Sequence, residues 1–203
     1  MKCNIRKLRV ISAAVLLALL CLCGRAGPVP KKKQTLRARI PPIARVMQVQ
    51  VGKDHIATLE RLLGPGLPCM GGHPNGGRAW FIKSLKLYIY ADGFDYDAQG
   101  RIIDTIGLDF GAEPPSPKIP QVNLKLKAIG WLGTILPGMS KEAVLRLTKG
   151  LPKPKREGNS LRWAMSGTYV FFGSGRQMVE SCRRWTAKLT FEKNRLTAVM
   201  VSL

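Results

Sequence analysis

Two stretches of this chain run through the same succession of signals, and that duplication constrains the fold more than any other feature. The first opens at Val51-Gly52-Lys53-Asp54, continues through Ile56, Leu59, Leu62 and Leu63, and stops at Gly64 before Leu67-Pro68. The second opens at Pro137-Gly138-Met139-Ser140, continues through Ala143, Val144 and Leu147, and stops at Gly150-Leu151-Pro152. In both, apolar residues recur at helical spacing. Asp54 or Ser140 stands at the N-cap, where a side-chain oxygen can accept from the free first-turn N–H groups, and a glycine ends the helix. Helices of about ten residues need a partner surface to be stable.

The segments after the two helices are also parallel. Arg78-Ala-Trp80-Phe-Ile82 matches Leu161-Arg-Trp163-Ala-Met165, and Leu85-Lys-Leu-Tyr88-Ile-Tyr90 matches Thr168-Tyr169-Val-Phe171-Phe172. Phe94-Asp-Tyr96-Asp97 with Arg101-Ile102 matches Leu189-Thr-Phe191-Glu192 with Arg195-Leu196. These aromatic and β-branched runs alternate with period two, and Ala98-Gln99-Gly100 and Lys193-Asn194 supply hairpin turns. The expected fold is α+β: two tandem copies of a short helix followed by a three- to four-stranded antiparallel sheet, packed together. The copies span residues 47–110 and 122–203, joined by a linker over 111–121 that holds four prolines. A strand-like Val122-Asn-Leu124-Lys-Leu126 leads into the second copy.

The run Gly138-Met-Ser-Lys-Glu-Ala-Val144, the Gly150-Leu-Pro152 step, the aromatic strands and the terminal hairpin resemble the BamE (SmpA/OmlA) family of outer-membrane assembly proteins. Two such units in tandem are similar in architecture to the β-lactamase inhibitory proteins. The likeness covers residues 49–203 and is closer in the second copy. It implies a non-catalytic envelope or secreted protein.

Residues 1–26 read as a secretory signal peptide. Lys2, Arg6, Lys7 and Arg9 form a basic start, residues 10–23 are almost wholly apolar, and Gly24-Arg25-Ala26 offers small residues before a cut. An apolar run of 14 residues is short of the ~20 that span a bilayer. Cys21 and Cys23 raise lipidation, but each follows a leucine where a lipobox has a small residue. The expected location is therefore periplasmic or secreted, with lipid anchoring disfavoured. The chain carries 33 Lys+Arg against 12 Asp+Glu. Residues 27–46 hold six basic residues and no acid in a Pro-rich stretch that reads as a tether, and residues 121–203 carry a net +11. Cys69 and Cys182, the thiols outside the signal, could form one disulfide that staples the two copies; the alternative is two separate cysteines.

Catalytic constellations are thin. Asp95-x-Asp97-x-Gln99-Gly100 overlaps the start of a calcium loop, but Ile106 stands where that loop needs a bidentate glutamate. The glycine-rich stretch 71–77 follows a helix and precedes a strand, the reverse of a phosphate loop, so it reads as a connector. Neither His55, read as a helix-surface residue, nor His73, read as a loop residue, has a second ligand at metal spacing. Serines lack a nucleophile elbow. No enzyme, cofactor or metal is expected.

The remaining signal lies in side-chain alternation. Leu85, Leu87 and Ile89 share one face, with Lys86, Tyr88 and Tyr90 on the other. Trp185, Ala187, Leu189 and Phe191 oppose Arg184, Thr186, Lys188 and Thr190. The first sets are expected in the core. Tyr88, Tyr90, Arg162, Arg184 and Lys188 are the expected partner-binding residues, since exposed tyrosine beside arginine and lysine suits a protein interface. A protein partner is the leading expectation. An anionic lipid or polysaccharide held by the basic C-terminal half and the tether is the alternative. Export and the lack of a nucleic-acid-binding motif argue against genomic nucleic acid.

Overall fold

The structure is a computed structural model that describes residues 37–68, 77–93, 95–111, 113, 118–122, 130–174 and 177–203. The expected signal peptide, the start of the tether, Cys69, the loop with His73, most of the proline linker and residues 123–126 of the strand-like run lie outside these. Among the described residues there are two α-helices, α1 (Ile56–Leu63) and α2 (Lys141–Leu147). The strands are β1 (Arg45–Val46), β2 (Val49–Gln50), β3 (Leu67–Pro68), β4 (Arg78–Ile82), β5 (Leu87–Asp92) and β6 (Tyr96–Asp97). They continue with β7 (Gly100–Arg101), β8 (Thr105–Phe110), β9 (Lys155–Glu157), β10 (Ser160–Phe172), β11 (Met178–Glu192) and β12 (Arg195–Ser202).

Eight of these lie side by side as one antiparallel sheet in the order β3-β4-β5-β8-β12-β11-β10-β9. Period-two alternation sends every second residue to the same face. Trp80, Ile89, Leu108, Val199, Leu189 and Leu161 therefore stand in one register row across six strands, all buried. α1 covers that face with Ile56, Leu59 and Leu63, and α2 with Val144. Residues 43–51 complete the core through Ile43, Val46, Met47, Val49 and Val51. The end of the stretch read as a tether is thus core: Ile43, Ala44 and Val46 are wholly buried.

Buried tryptophans fasten these layers. The indole N–H of Trp80 donates to the Gly64 carbonyl at the end of α1, that of Trp131 to Ile43, and that of Trp185 to Val51, each at 2.8 Å. Each bond satisfies two groups that burial would otherwise strand. Gly52, at φ 84°, is required under Trp185, because a Cβ there would lie 2.8 Å from the ring. Trp163 packs against Trp131 with ring centroids 4.9 Å apart, but its own N–H has no partner among the described residues.

This architecture overturns the expected α+β arrangement of two tandem helix-plus-sheet copies. The chain is mostly β, with helices of only eight and seven residues. The decisive contact is between β8 and β12, which pair from Thr105↔Ser202 to Asp109↔Ala198. Two separate sheets would each have left a strand edge of unpaired N–H and C=O groups at that place. Joining them removes both edges and makes one sheet. Smaller expectations change too. Leu85 is not in a strand beside Leu87 but in a 3-10 turn, 42% exposed. Asp54 does not cap α1. His55 occupies the N-cap, and Asp54 accepts the Gln50 N–H at 2.7 Å. His55 is buried rather than on a helix surface, with Nε2 donating to Asp97 at 2.8 Å.

The β6–β7 hairpin, which holds the residues that resemble a calcium loop, is a structural tie. Asp97 holds His55 and the Gln99 N–H, and Asp95 accepts from the Tyr169 hydroxyl. Tyr169 is buried against Phe171 and Trp185. Burial first, then the bond to Asp95 and its charge, push the Tyr169 phenol up to about 12.

This packing generates two testable outcomes. Trp185→Phe leaves the Val51 carbonyl without its donor, which costs ~1–3 kcal/mol beyond lost packing, whereas Trp163→Phe breaks no bond. In urea denaturation Trp185→Phe should lower the midpoint further than Trp163→Phe, both acting on one common transition. Equal losses, or two separate transitions, would count against the anchoring role and the single sheet. The second outcome concerns pH. An unfolded tyrosine ionises near ~10, so between there and about 12 the folded chain keeps a proton that the unfolded chain has lost. Stability held through Tyr169 is complete below the lower value and disappears as pH rises through the upper one. The stability advantage of wild type over Tyr169→Phe should narrow across that window, and a constant difference would refute the assignment.

Candidate binding face

The sheet's second face is the candidate site. At its β4 end it is closed. Residues 120–122 run beside β4, with the Phe81 N–H donating to Pro120 at 3.1 Å and the Val122 N–H donating to Phe81 at 2.9 Å. Ile119 then covers Ala79 and Phe81, with Tyr88 packed against them. Beyond Tyr88, no helix among the described residues packs on this face in the way α1 and α2 pack on the other.

Register places the expected residues. Tyr90, Gly107, Met200, Lys188, Arg162 and Lys155 form one row from β5 to β9, next to the core row. Three of the five expected contact residues, Tyr90, Lys188 and Arg162, are thus brought into line. Tyr88 lies in the adjacent row opposite Asp109 and faces the Ile119 cluster. Arg184 is exposed but lies farther along β11, past the last β12 pair at Thr186↔Ser202. It does not join the row.

Sequence reasoning missed Met200 and Asp109. Met200 is 39% exposed and sits at the centre of the row between Gly107 and Lys188. The alternation Val199-Met200-Val201 marked it as outward-facing, but not which residues would flank it. Gly107 is the row's structural device. A Cβ there would come within 2.0 Å of the Tyr90 ring, so the ring lies over the bare glycine backbone. Tyr88 and Tyr90 have ring centroids 6.1 Å apart.

Beside this row is a depression of about 210 Å³ lined by Tyr90, Asp109, Lys188, Thr190, Ala198 and Met200. Its acidic and phenolic groups hold their protons more tightly than usual. Burial, then the charge of Glu192, raises Asp109; burial, then the charge of Asp109, raises Tyr90. Arg162 and Lys155 share Glu157, at 3.4 and 3.5 Å, so part of the expected positive charge is neutralised in place. Such exposed pairs are worth little energy but set the local charge. The face is therefore mixed: aromatic and acidic toward β5 and β8, basic toward β10 and β11, with a thioether between. Among the described residues, no group of three metal-ligating side chains is present.

No protein family, curated protein or solved structure matches this chain. The likeness to the BamE family rests on the sequence motifs alone. Cys182 is a free, exposed thiol, and Cys69 lies outside the described residues.

The glycine under Tyr90 gives a direct check of this face. Gly107→Ala should displace the ring and cost ~1–3 kcal/mol by overpacking. In a Tyr90→Ala background the same change should be neutral or stabilising, since alanine is a better strand residue than glycine. A double-mutant cycle with no coupling would show that the ring does not lie on Gly107.

Proposed function

We propose that this chain is an exported, non-catalytic binding protein that engages a protein partner through the open sheet face. The observation that carries the reading is the row Tyr90–Gly107–Met200–Lys188–Arg162. A tyrosine, a methionine and two cations lie in register on a rigid sheet, beside a depression that can take one partner side chain. Tyrosine and arginine dominate binding energy at interfaces, and methionine adapts to irregular surfaces. A rigid sheet holds these groups with little ordering cost on association. Export rests on the basic and apolar pattern of residues 1–26 and on nothing in the fold.

The mixed charge favours a protein over a polyanion. Glu157, Asp109 and Glu192 share the neighbourhood of the row with its cations, so an anionic lipid or polysaccharide meets repulsion as well as attraction. Polyanion binding also falls steeply with salt, whereas a contact built on Tyr90 and Met200 persists.

Affinity capture from an envelope fraction, at low and at physiological salt, tests this reading. Wild-type protein should retain a specific protein at both. Tyr90→Ala combined with Lys188→Glu should reduce recovery at least ~10-fold while the variant still unfolds in one cooperative transition. Recovery of no specific protein at either salt, or equal recovery by the variant, would overturn it.

A further inference from the structure

β10 and β11 outrun the rest of the sheet. β12 accompanies β11 only as far as Thr186, opposite Ser202. From Arg184 back to Met178, β11 pairs with β10 on one side and with no strand among the described residues on the other. Which backbone groups are free is fixed by the neighbours. Thr168 exchanges both its N–H and its C=O with Arg39, at 3.1 and 2.8 Å. In the pair Thr168↔Cys182 the two backbones therefore point away from each other, and the N–H and C=O of Cys182 face the open edge. By the two-residue repeat, those of Glu180 and Arg184 do the same. The Gly173 N–H bond to Gln177 at the hairpin end keeps the same alternation.

The side chains on this edge are self-complementary. Glu180, Cys182 and Arg184 are exposed and share one face. Neither Glu180 nor Arg184 has an ion pair among the described residues, and Cys182 is a free thiol. Four residues along a strand is about 13 Å, so Glu180 and Arg184 of one chain cannot reach each other.

We propose that a second copy of this chain docks here, its β11 antiparallel to the first about a twofold axis at Cys182, so that the sheet continues across the dimer. Only even-numbered residues offer free backbone groups, so hydrogen-bonded pairs must join even to even. Thr186 is taken by Ser202, which leaves residues 178–184 open; in a register centred on Cys182, Met178 would fall opposite Thr186, so only residues 180–184 pair. A register centred on Glu180 or Arg184 sets like charges face to face, and one centred on Ser181 or Arg183 sets neither Glu180 nor Arg184 opposite an unlike charge. The register centred on Cys182 sets Glu180 of each copy opposite Arg184 of the other, twice, with Cys182 opposite Cys182. An isologous contact of this kind closes on itself and uses up this edge in both copies. Hydrogen-bonded antiparallel pairs hold their Cα atoms about 5.5 Å apart, within the span of a disulfide, so the thiols report the register. The contact is small, and association is accordingly weak and concentration-dependent.

Sedimentation of the full chain under reducing conditions, from about 10 μM to about 1 mM, should show a monomer passing to a dimer. Glu180→Arg alone and Arg184→Glu alone should each weaken association at least ~5-fold, and the double variant should restore it, because the swap recreates both unlike pairs. Oxidation by glutathione disulfide provides the register readout. One Cys182 thiolate displaces a glutathione thiolate to form a mixed disulfide, and the second copy's Cys182 thiolate displaces the other. Two protein thiols are thereby oxidised, one glutathione disulfide is reduced to two thiols, and the protons of the cysteines pass to the glutathione formed. A covalent dimer should form in wild type and in Cys69→Ser, and not in Cys182→Ser. A monomer at every concentration, a double variant no better than the singles, or a crosslink that needs Cys69 instead would each overturn the proposal. A Cys182 disulfide to a different protein of the envelope fraction, in place of the self-crosslink, would give the edge to a foreign strand and also overturn it.

Discussion

The pairing of β8 with β12 is the contact on which the rest of the structure depends. Five residue pairs, from Thr105↔Ser202 to Asp109↔Ala198, join strands far apart in the chain and turn two small sheets into one. The core row passes through it from Leu108 to Val199, and the open row passes through it from Gly107 to Met200. Without it, Ile106 and Val201 would lose each other as cross-strand neighbours, and the line from Tyr90 to Lys188 would be cut. One set of backbone hydrogen bonds therefore carries both the stability of the core and the geometry of the binding face.

The tryptophans do the complementary work perpendicular to the sheet. Strand pairing fixes neighbours within a layer but does not decide which loop lies over which residue. Indole donors on Trp80, Trp131 and Trp185 do so, since each has one acceptor and one direction. Trp163 is the exception, buried against Trp131 with its N–H unmatched among the described residues. Its place in the core is held by ring area alone, which is the larger part of what any buried tryptophan contributes.

Much of the local structure was legible from the residues. The apolar spacing of 56–63 and 141–147 marks both helices, and Ser140 caps α2 by accepting the Ala143 N–H at 3.2 Å. Lys193 and Asn194 make the two-residue turn between β11 and β12, with φ of 47° and 63°. Alternation correctly buried Trp185, Ala187, Leu189 and Phe191, and turned Tyr90 and Lys188 to the other side. Period-two patterning says which face a residue takes, but not which strand lies beside it. That is why the seam, the neighbours of Met200 and the position of Asp109 were hidden. Residues 41–46 were hidden for another reason. Prolines and basic residues around them give a linker's composition, while Ile43, Ala44 and Val46 are wholly buried among them.

That buried N-terminal stretch also bears on how the chain reaches its final form. The bond from Trp185 to Val51 spans 134 residues, and that from Trp131 to Ile43 spans 88. Contacts between such distant partners form slowly, because the long intervening loop must be closed before they reward it. A chain emerging N-terminus first has β4, β5 and β8 available early, but nothing to pair with the far side of β8 until β12 arrives. Ile43, Val46 and Val51 meanwhile have no lid of Trp185 and Leu189 over them. The half-made molecule thus carries an open strand edge and a wet apolar face together, the combination that chaperones recognise and that aggregation exploits. Closure falls to the eight-residue strand Arg195–Ser202, which is synthesised after every other strand of the sheet. Until it docks, neither half of the sheet has its neighbour.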